Sequence, residues 1–203
     1  MAPINHAAYL VKPKQLPYVV TEAPYTAPGT NEVTIRTRAV AINPIDIILP
    51  DRGNMIYTWL KYPFILGFDV AGEVVEVGPG AESRFTMGDR VVGMAVGTDK
   101  SRNHAAEGGF QNYVVLMADM TSPIPAGMSY ERASVLPLGL STAACGLFQD
   151  DQLALRPPSA QVREATGQSI VVWGGSTSVG GNAIQLAVAA GYDVFTTASP
   201  QQL

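Results

Sequence analysis

The chain has 203 residues, 47% hydrophobic and 15% charged, with a net charge of −4. That balance is globular, and it excludes a disordered tail and a basic nucleic-acid surface. A single cysteine, Cys145, excludes an internal disulfide, and no uncharged apolar run reaches the roughly 18 residues of a membrane helix. The N-terminal stretch MAPINHAAYLVKPKQ lacks the charged-then-apolar pattern of a signal peptide. A soluble, cytoplasmic protein of one or two domains is the expectation.

The first 125 or so residues are rich in β-branched runs, glycine and proline. Residues 33–42 (VTIRTRAVAI) alternate and then turn apolar, as a strand entering a core does. Residues 68–77 (FDVAGEVVEV), 90–94 and 108–116 (GGFQNYVVL) read as further strands, with Gly78-Pro79-Gly80 as a turn. Short strands between Gly/Pro turns predict a β-barrel-like domain over 1–125. Pro123-Ile124-Pro125 ends this pattern. Ser129 then caps an apolar helix that runs to Phe148, with Pro137 predicting a kink or a two-part helix. Cys145 lies in this helix and reads as a small buried core residue. Residues 150–168 form a polar, proline-bearing surface loop.

The next segment carries the chemistry. Residues 169–173 (SIVVW) form a short apolar strand, residues 174–181 (GGSTSVGG) a glycine-rich turn, and Ile184, Ala187 and Val188 follow at helical spacing up to Gly191. Strand, glycine turn and helix open a dinucleotide-binding βαβ unit. Gly175 and Gly180 let the backbone approach a pyrophosphate, and the N–H groups of Ser176, Thr177, Ser178 and Val179 face it at the positive helix end. The serine and threonine hydroxyls either bind phosphate or cap the helix. Residues 192–197 read as the second strand. An NAD site carries Asp or Glu at its end. Here Ala198, Ser199, Pro200 and Gln201 follow, so no carboxylate opposes a 2′-phosphate. NADPH is expected over NADH.

Several further segments carry a family likeness: AVAINPID at 39–46, GFDVAGEVVEVG at 67–78, GDRV at 88–91, GGFQNY at 108–113 and LGLSTA at 138–143. With the glycine turn, the chain resembles the medium-chain dehydrogenase/reductase superfamily. The wording VWGGSTSVGG looks most like its fungal subgroup of trans-acting enoyl reductases and "zinc-binding dehydrogenase"-type proteins. The resemblance implies a mixed α/β fold. A GroES-like domain over 1–125 precedes a bridging helix and the first βαβ part of a doubly wound parallel Rossmann sheet over 126–203. It implies that the chain is C-terminally truncated, since the family's sheet continues. It also places Pro44, Asp46 and Thr142 beside the nicotinamide, and Ser199 and Gln201 beside the 2′-phosphate. Pro44 and Asp46 otherwise read as a proline turn with Asp46 capping the helical turn after it, and Thr142 as a helix hydroxyl bonded to a preceding carbonyl.

Zinc members of that superfamily need three protein ligands. Here the cysteine position falls within Asn43–Asp46, Phe68 occupies the histidine position, and the structural lobe's four cysteines are missing, so no zinc is expected. Related enoyl reductases often carry a lysine where this chain has Ile48. Tyr57 and Lys61 border the implied substrate cleft. The expected function is metal-independent hydride transfer from NADPH to an enone, enoyl thioester or quinone, with no single general base identified. The alternatives are an inactive fragment or binding module of such a reductase and, less favoured, an alcohol dehydrogenase. The expected partners are a small-molecule substrate and either a second copy of the chain or a synthase.

Overall fold

The computed structural model describes residues 3–52, 55, 57–161 and 164–200. The chain divides into two compact units, Met1–Pro137 and Leu138–Leu203. In the first, β1 (Asn5–Leu10) pairs with β2 (Val19–Ala23) and β4 (Phe64–Ile65) in a three-stranded sheet. A five-stranded sheet has the order β7-β3-β5-β6-β8, from β3 (Glu32–Ala41), β5 (Asp69–Val77), β6 (Arg90–Met94), β7 (Tyr113–Met117) and β8 (Thr121–Pro123). All these pairings are antiparallel. The long β3–β5 pairing is broken by two register shifts, at Thr34/Ile35 and Thr37/Ala39. Such bulges bend a sheet and let it curl. An isolated bridge from Ala7 to Gln111 links the first sheet to the loop before β7.

The core of this unit is mostly aliphatic, with Phe85 buried among the aliphatic residues. Val33, Ile35, Val70, Val74, Val91, Val114 and Leu116 point inward from alternate strand positions and are almost wholly buried. The predicted strand over 108–116 begins only at Tyr113. Residues before it are held by side-chain bonds instead: buried Gln111 donates its amide to the carbonyls of Ala105, Ala106 and Gly108. The expected two-part helix is present as α2 (Tyr130–Ser134) and α3 (Pro137–Phe148), with Ser129 capping α2. Helix α2 packs on β5 through Ala71, Ile124 and Ala133. Cys145 is exposed on α3, correcting its expected burial. The helix buries Gly139, Ala143 and Leu147, and Cys145 lies off that stripe.

In the second unit, β9 (Ser169–Val172) and β10 (Asp193–Thr196) form a parallel pair joined by α4 (Ser178–Ala189). A core of Ala143, Leu147, Val172 and Ala183 joins α3, β9 and α4. The loop after α3 is pinned by Arg156. Its guanidinium donates to the Ala190 carbonyl at the end of α4 and to that of Glu164. This satisfies a carbonyl that a helix C-terminus leaves without a partner.

Candidate functional site

Three glycines shape the turn, one through its backbone conformation and two because a side chain has no room there. Gly174 has φ +77°, a left-handed conformation that favours glycine. A Cβ on Gly175 would collide with the Thr196 hydroxyl, and one on Gly180 with the Gly174 carbonyl oxygen. The end of β10 closes the turn: Thr197 accepts from Gly175 N–H through its carbonyl at 2.9 Å and from Gly174 N–H through its hydroxyl at 3.0 Å. Sequence reasoning did not single out Thr196 and Thr197. Their signal is the hydroxyl pair at the point where the second strand ends.

Thr177 is the N-cap of α4, with its hydroxyl accepting from Gly180 N–H at 3.0 Å and donating to the Gly174 carbonyl at 2.9 Å. Its hydroxyl is therefore engaged in the cap. Ser176, Ser178 and Val179 are exposed at the same helix end. The first-turn N–H groups of Ser178 and Val179 have no acceptor within the helix, so this end can receive an anion. A Cβ on Gly139 would crowd the Ser178 hydroxyl, so the start of α3 lies against the start of α4. Exposed Thr142 lies one turn further along α3 from that point. Ser199 is exposed beyond β10, and Gln201 lies outside the described residues. No carboxylate occurs from Thr196 to Pro200.

Pro44 and Asp46 belong to the first unit. They open α1 (Pro44–Arg52), with Pro44 exposed at its first position, where proline loses no helical hydrogen bond. Asp46 sits inside the first turn rather than ahead of it, which corrects its expected place as a cap of a following turn. Its backbone N–H donates to the Asn43 carbonyl at 3.0 Å, and its Oδ2 accepts from the Asn43 N–H at 2.8 Å. Asp46 is 4% exposed, and its Oδ1 has no hydrogen-bond partner. Burial is the main cause that pushes this carboxyl up to about 6; the hydrogen bond from the Asn43 N–H favours the charged form and opposes the rise, and the charge of Asp69 adds a smaller rise. The Asn43 amide also donates to Oδ2 of buried Asp69 at 2.9 Å. The Tyr18 hydroxyl donates to the Asp46 carbonyl at 3.0 Å.

These residues do not suit a catalytic zinc. Asn43 spends its amide on a carboxylate, and the next position of the donor set is the buried phenyl ring of Phe68, which has no lone pair to offer. Among the described residues, no three His, Cys, Asp or Glu side chains converge on a metal-sized point. The segment after β6 is held by an ion pair. Arg102 reaches buried Glu107 at 2.7 and 2.8 Å and also contacts Glu32.

This pairing of a curled antiparallel domain with a glycine-turn βαβ unit defines a dehydrogenase/reductase architecture, and the chain belongs to the medium-chain dehydrogenase/reductase superfamily. Residues 29–126 match the family described as "Alcohol dehydrogenase GroES-like domain". Dehydrogenase pigH of Monascus ruber is 55% identical over 197 residues, an alignment covering 97% of this chain and 53% of that protein. Trans-enoyl reductase himH of Aspergillus japonicus is 40% identical over 198 residues, covering 97% and 55%. An alcohol dehydrogenase superfamily protein from Novosphingobium aromaticivorans superposes with a TM-score of 0.76 at 31% identity, covering 98% of this chain and 55% of that one. For the quinone oxidoreductase from Coxiella burnetii the TM-score is 0.71 at 26% identity, covering 98% and 58%. The chain thus spans about half the length of the curated relatives it matches. No helix among the described residues is long and apolar enough to cross a membrane.

Proposed function

We propose that this polypeptide serves a metal-independent oxidoreductase that uses NADPH to reduce a conjugated carbonyl, either an enone or enoyl thioester or a quinone. The carrying observation is the turn at Gly174–Gly180, where Gly175 and Gly180 have no room for a Cβ and the backbone forms a cradle at the N-terminus of α4. The pyrophosphate sits there against the N–H groups of Ser178 and Val179 and the hydroxyls of Ser176 and Ser178. Ser199 and Gln201 receive the 2′-phosphate, and the absence of a carboxylate from Thr196 to Pro200 removes the charge that would repel it. Pro44, Asp46 and Thr142 serve the nicotinamide end. When bound, the nicotinamide supplies a hydride to the electron-poor carbon, and the chain's part is to hold, orient and exclude water.

The relatives support both substrate types, since one is named a trans-enoyl reductase and one a quinone oxidoreductase. Ile48 is an exposed apolar residue on α1 where related enoyl reductases carry a lysine, so that position offers no ammonium to a carbonyl or an anionic carrier. This favours an apolar enone or quinone over a carrier-bound thioester.

Calorimetric titration of the 203-residue chain with NADPH, with NADH as comparator, tests the reading. Saturable binding that favours NADPH is expected. Ser176→Glu changes an exposed residue and sets a charge against the pyrophosphate, so it should weaken binding at least tenfold while the circular dichroism stays unchanged. Absence of binding by the folded chain overturns the cofactor assignment, and equal affinity for NADH overturns the 2′-phosphate part of it.

A further inference from the structure

The backbone N–H groups of the glycine turn fall into two sets. Thr197 takes the first two: its hydroxyl accepts from Gly174 at 3.0 Å and its carbonyl from Gly175 at 2.9 Å. Those of Thr177, Gly180 and Gly181 are bonded within the turn and the helix cap. Among the described residues, no protein acceptor meets the N–H of Ser176, Ser178 or Val179. Thr197 is itself tied to the last residue of β9. Its N–H donates to the Val172 carbonyl at 3.2 Å, and the hydroxyl of Thr196 donates to the same carbonyl at 2.9 Å. The end of β9, the end of β10 and the first two glycines are thus one hydrogen-bonded unit. Its Gly175 bond runs between main chains and survives any substitution at 197, whereas the Gly174 bond depends on the hydroxyl.

We propose that Thr197 is the positioning residue of this turn: it engages the N–H groups of Gly174 and Gly175 and so presents those of Ser176, Ser178 and Val179 to the pyrophosphate. The inference rests on the cofactor reading given above and adds which amides carry the anion and which side chain sets them. Thr197 spends its hydroxyl on Gly174, so it acts through the turn rather than on the cofactor. A side chain without an acceptor strands the N–H of half-buried Gly174. A stranded donor is relieved only when the turn moves or water enters. Either change shifts the outward amides, which must meet one anion together. NADPH and NADH carry the same pyrophosphate, so both lose affinity by the same factor.

Thr197→Val keeps the shape and removes the acceptor, and Thr197→Ser keeps the acceptor. Calorimetric titration of the 203-residue chain should show both nucleotides bound about tenfold more weakly by Thr197→Val, the worth of one hydrogen bond, and near wild type by Thr197→Ser. Hydrogen exchange followed by nitrogen-15 NMR reads the turn without nucleotide. The Gly174 amide should exchange about tenfold faster in Thr197→Val, while that of Asp193, bonded to the Gln168 carbonyl at the other end of β10, keeps its rate. Unchanged affinity in Thr197→Val, or an unchanged Gly174 amide, overturns the proposal and leaves the cofactor assignment standing. Equal acceleration at Asp193 overturns it too, because Thr197 would then only stabilise the strand. A wild type that binds neither nucleotide overturns the cofactor assignment and the positioning role with it. If Thr197→Val does not fold, the wild type decides. Its Gly174 and Gly175 amides should be protected before nucleotide is added, and those of Ser176, Ser178 and Val179 only afterwards. Protection of Gly174 that appears only with NADPH refutes the role.

Discussion

Protonation of Asp46 makes the stability of the folded chain depend on pH. Its carboxyl lies at about 6 in the folded chain against an ordinary value of 3.8. Between those pH values the unfolded chain has released this proton and the folded chain has kept it. Stability contributed by the group is therefore complete below about pH 4 and lost as pH rises towards 6. Each tenfold difference in proton affinity is worth about 1.4 kcal/mol, so the loss is of the order of 2–3 kcal/mol. Other carboxylates change in the opposite direction, and the difference between wild type and Asp46→Asn isolates this one. We expect Asp46→Asn to gain relative to wild type across pH 4–6 and to hold a constant difference above it. Urea unfolding at a series of pH values measures this, and parallel profiles for the two proteins would refute it. The glycines of the turn are the converse case. Their place was legible in the sequence because they stand between an apolar strand and a helical pattern, and the fold gives Gly175 and Gly180 no room for a Cβ. Nothing in the residue string marks Asp46 as lacking a donor on Oδ1, since that depends on which groups the fold brings near it.

At the scale of elements, the loop between β6 and β7 is held by a buried carboxylate and one arginine. Glu107 is 3% exposed and accepts both arms of Arg102. Arg102→Met would strand that carboxylate, and breaking one side of a buried pair costs about 3–5 kcal/mol. The Arg102 side chain is 30% exposed, so about 2 kcal/mol is the reasonable expectation after solvent screening. Trp59 reports on the loop, because its indole donates to the Thr98 carbonyl and its own carbonyl accepts from Asn103. Its emission should follow the lowered urea midpoint, and Arg102→Met/Glu107→Gln should recover part of the loss. Full additivity of the two changes would count against the pair. This clasp was not legible in the sequence, since its partners include Glu32, 70 residues away. The strands of the five-stranded sheet were legible because their inward positions are valine, isoleucine and leucine. Strand β1 was not, because its inward positions include Asn5, whose amide is satisfied by Gln111 and Pro24. Strand β2 is almost wholly exposed and carries no alternation to read.

For the whole molecule, the two units differ sharply in how they are built. The first has a core of wholly buried, mostly aliphatic residues spread over several strands. The second has two parallel strands of four residues each, and the buried members of its largest cluster are Ala143, Leu147, Val172 and Ala183. Val171, Trp173 and Phe195 are 71%, 85% and 63% exposed, so the strand face opposite to that of Val172 leaves its apolar groups in water. Two-stranded sheets are marginal unless a hydrophobic face is covered, so the second unit should open at lower free energy than the first. Hydrogen exchange resolves the two separately. Amides of β3 and β5 should be the most protected in the chain, and those of β9 and β10 should exchange orders of magnitude faster. A ligand that binds only the folded state stabilises it by mass action, about 2.7 kcal/mol at a hundredfold excess over Kd. Saturating NADPH should therefore slow exchange in β9, β10 and the first turn of α4 by about a hundredfold, while β3 and β5 stay unchanged. Protection that rose equally in both units would mean that they open together. Protection that rose in neither would mean that the glycine turn holds no dinucleotide in this chain.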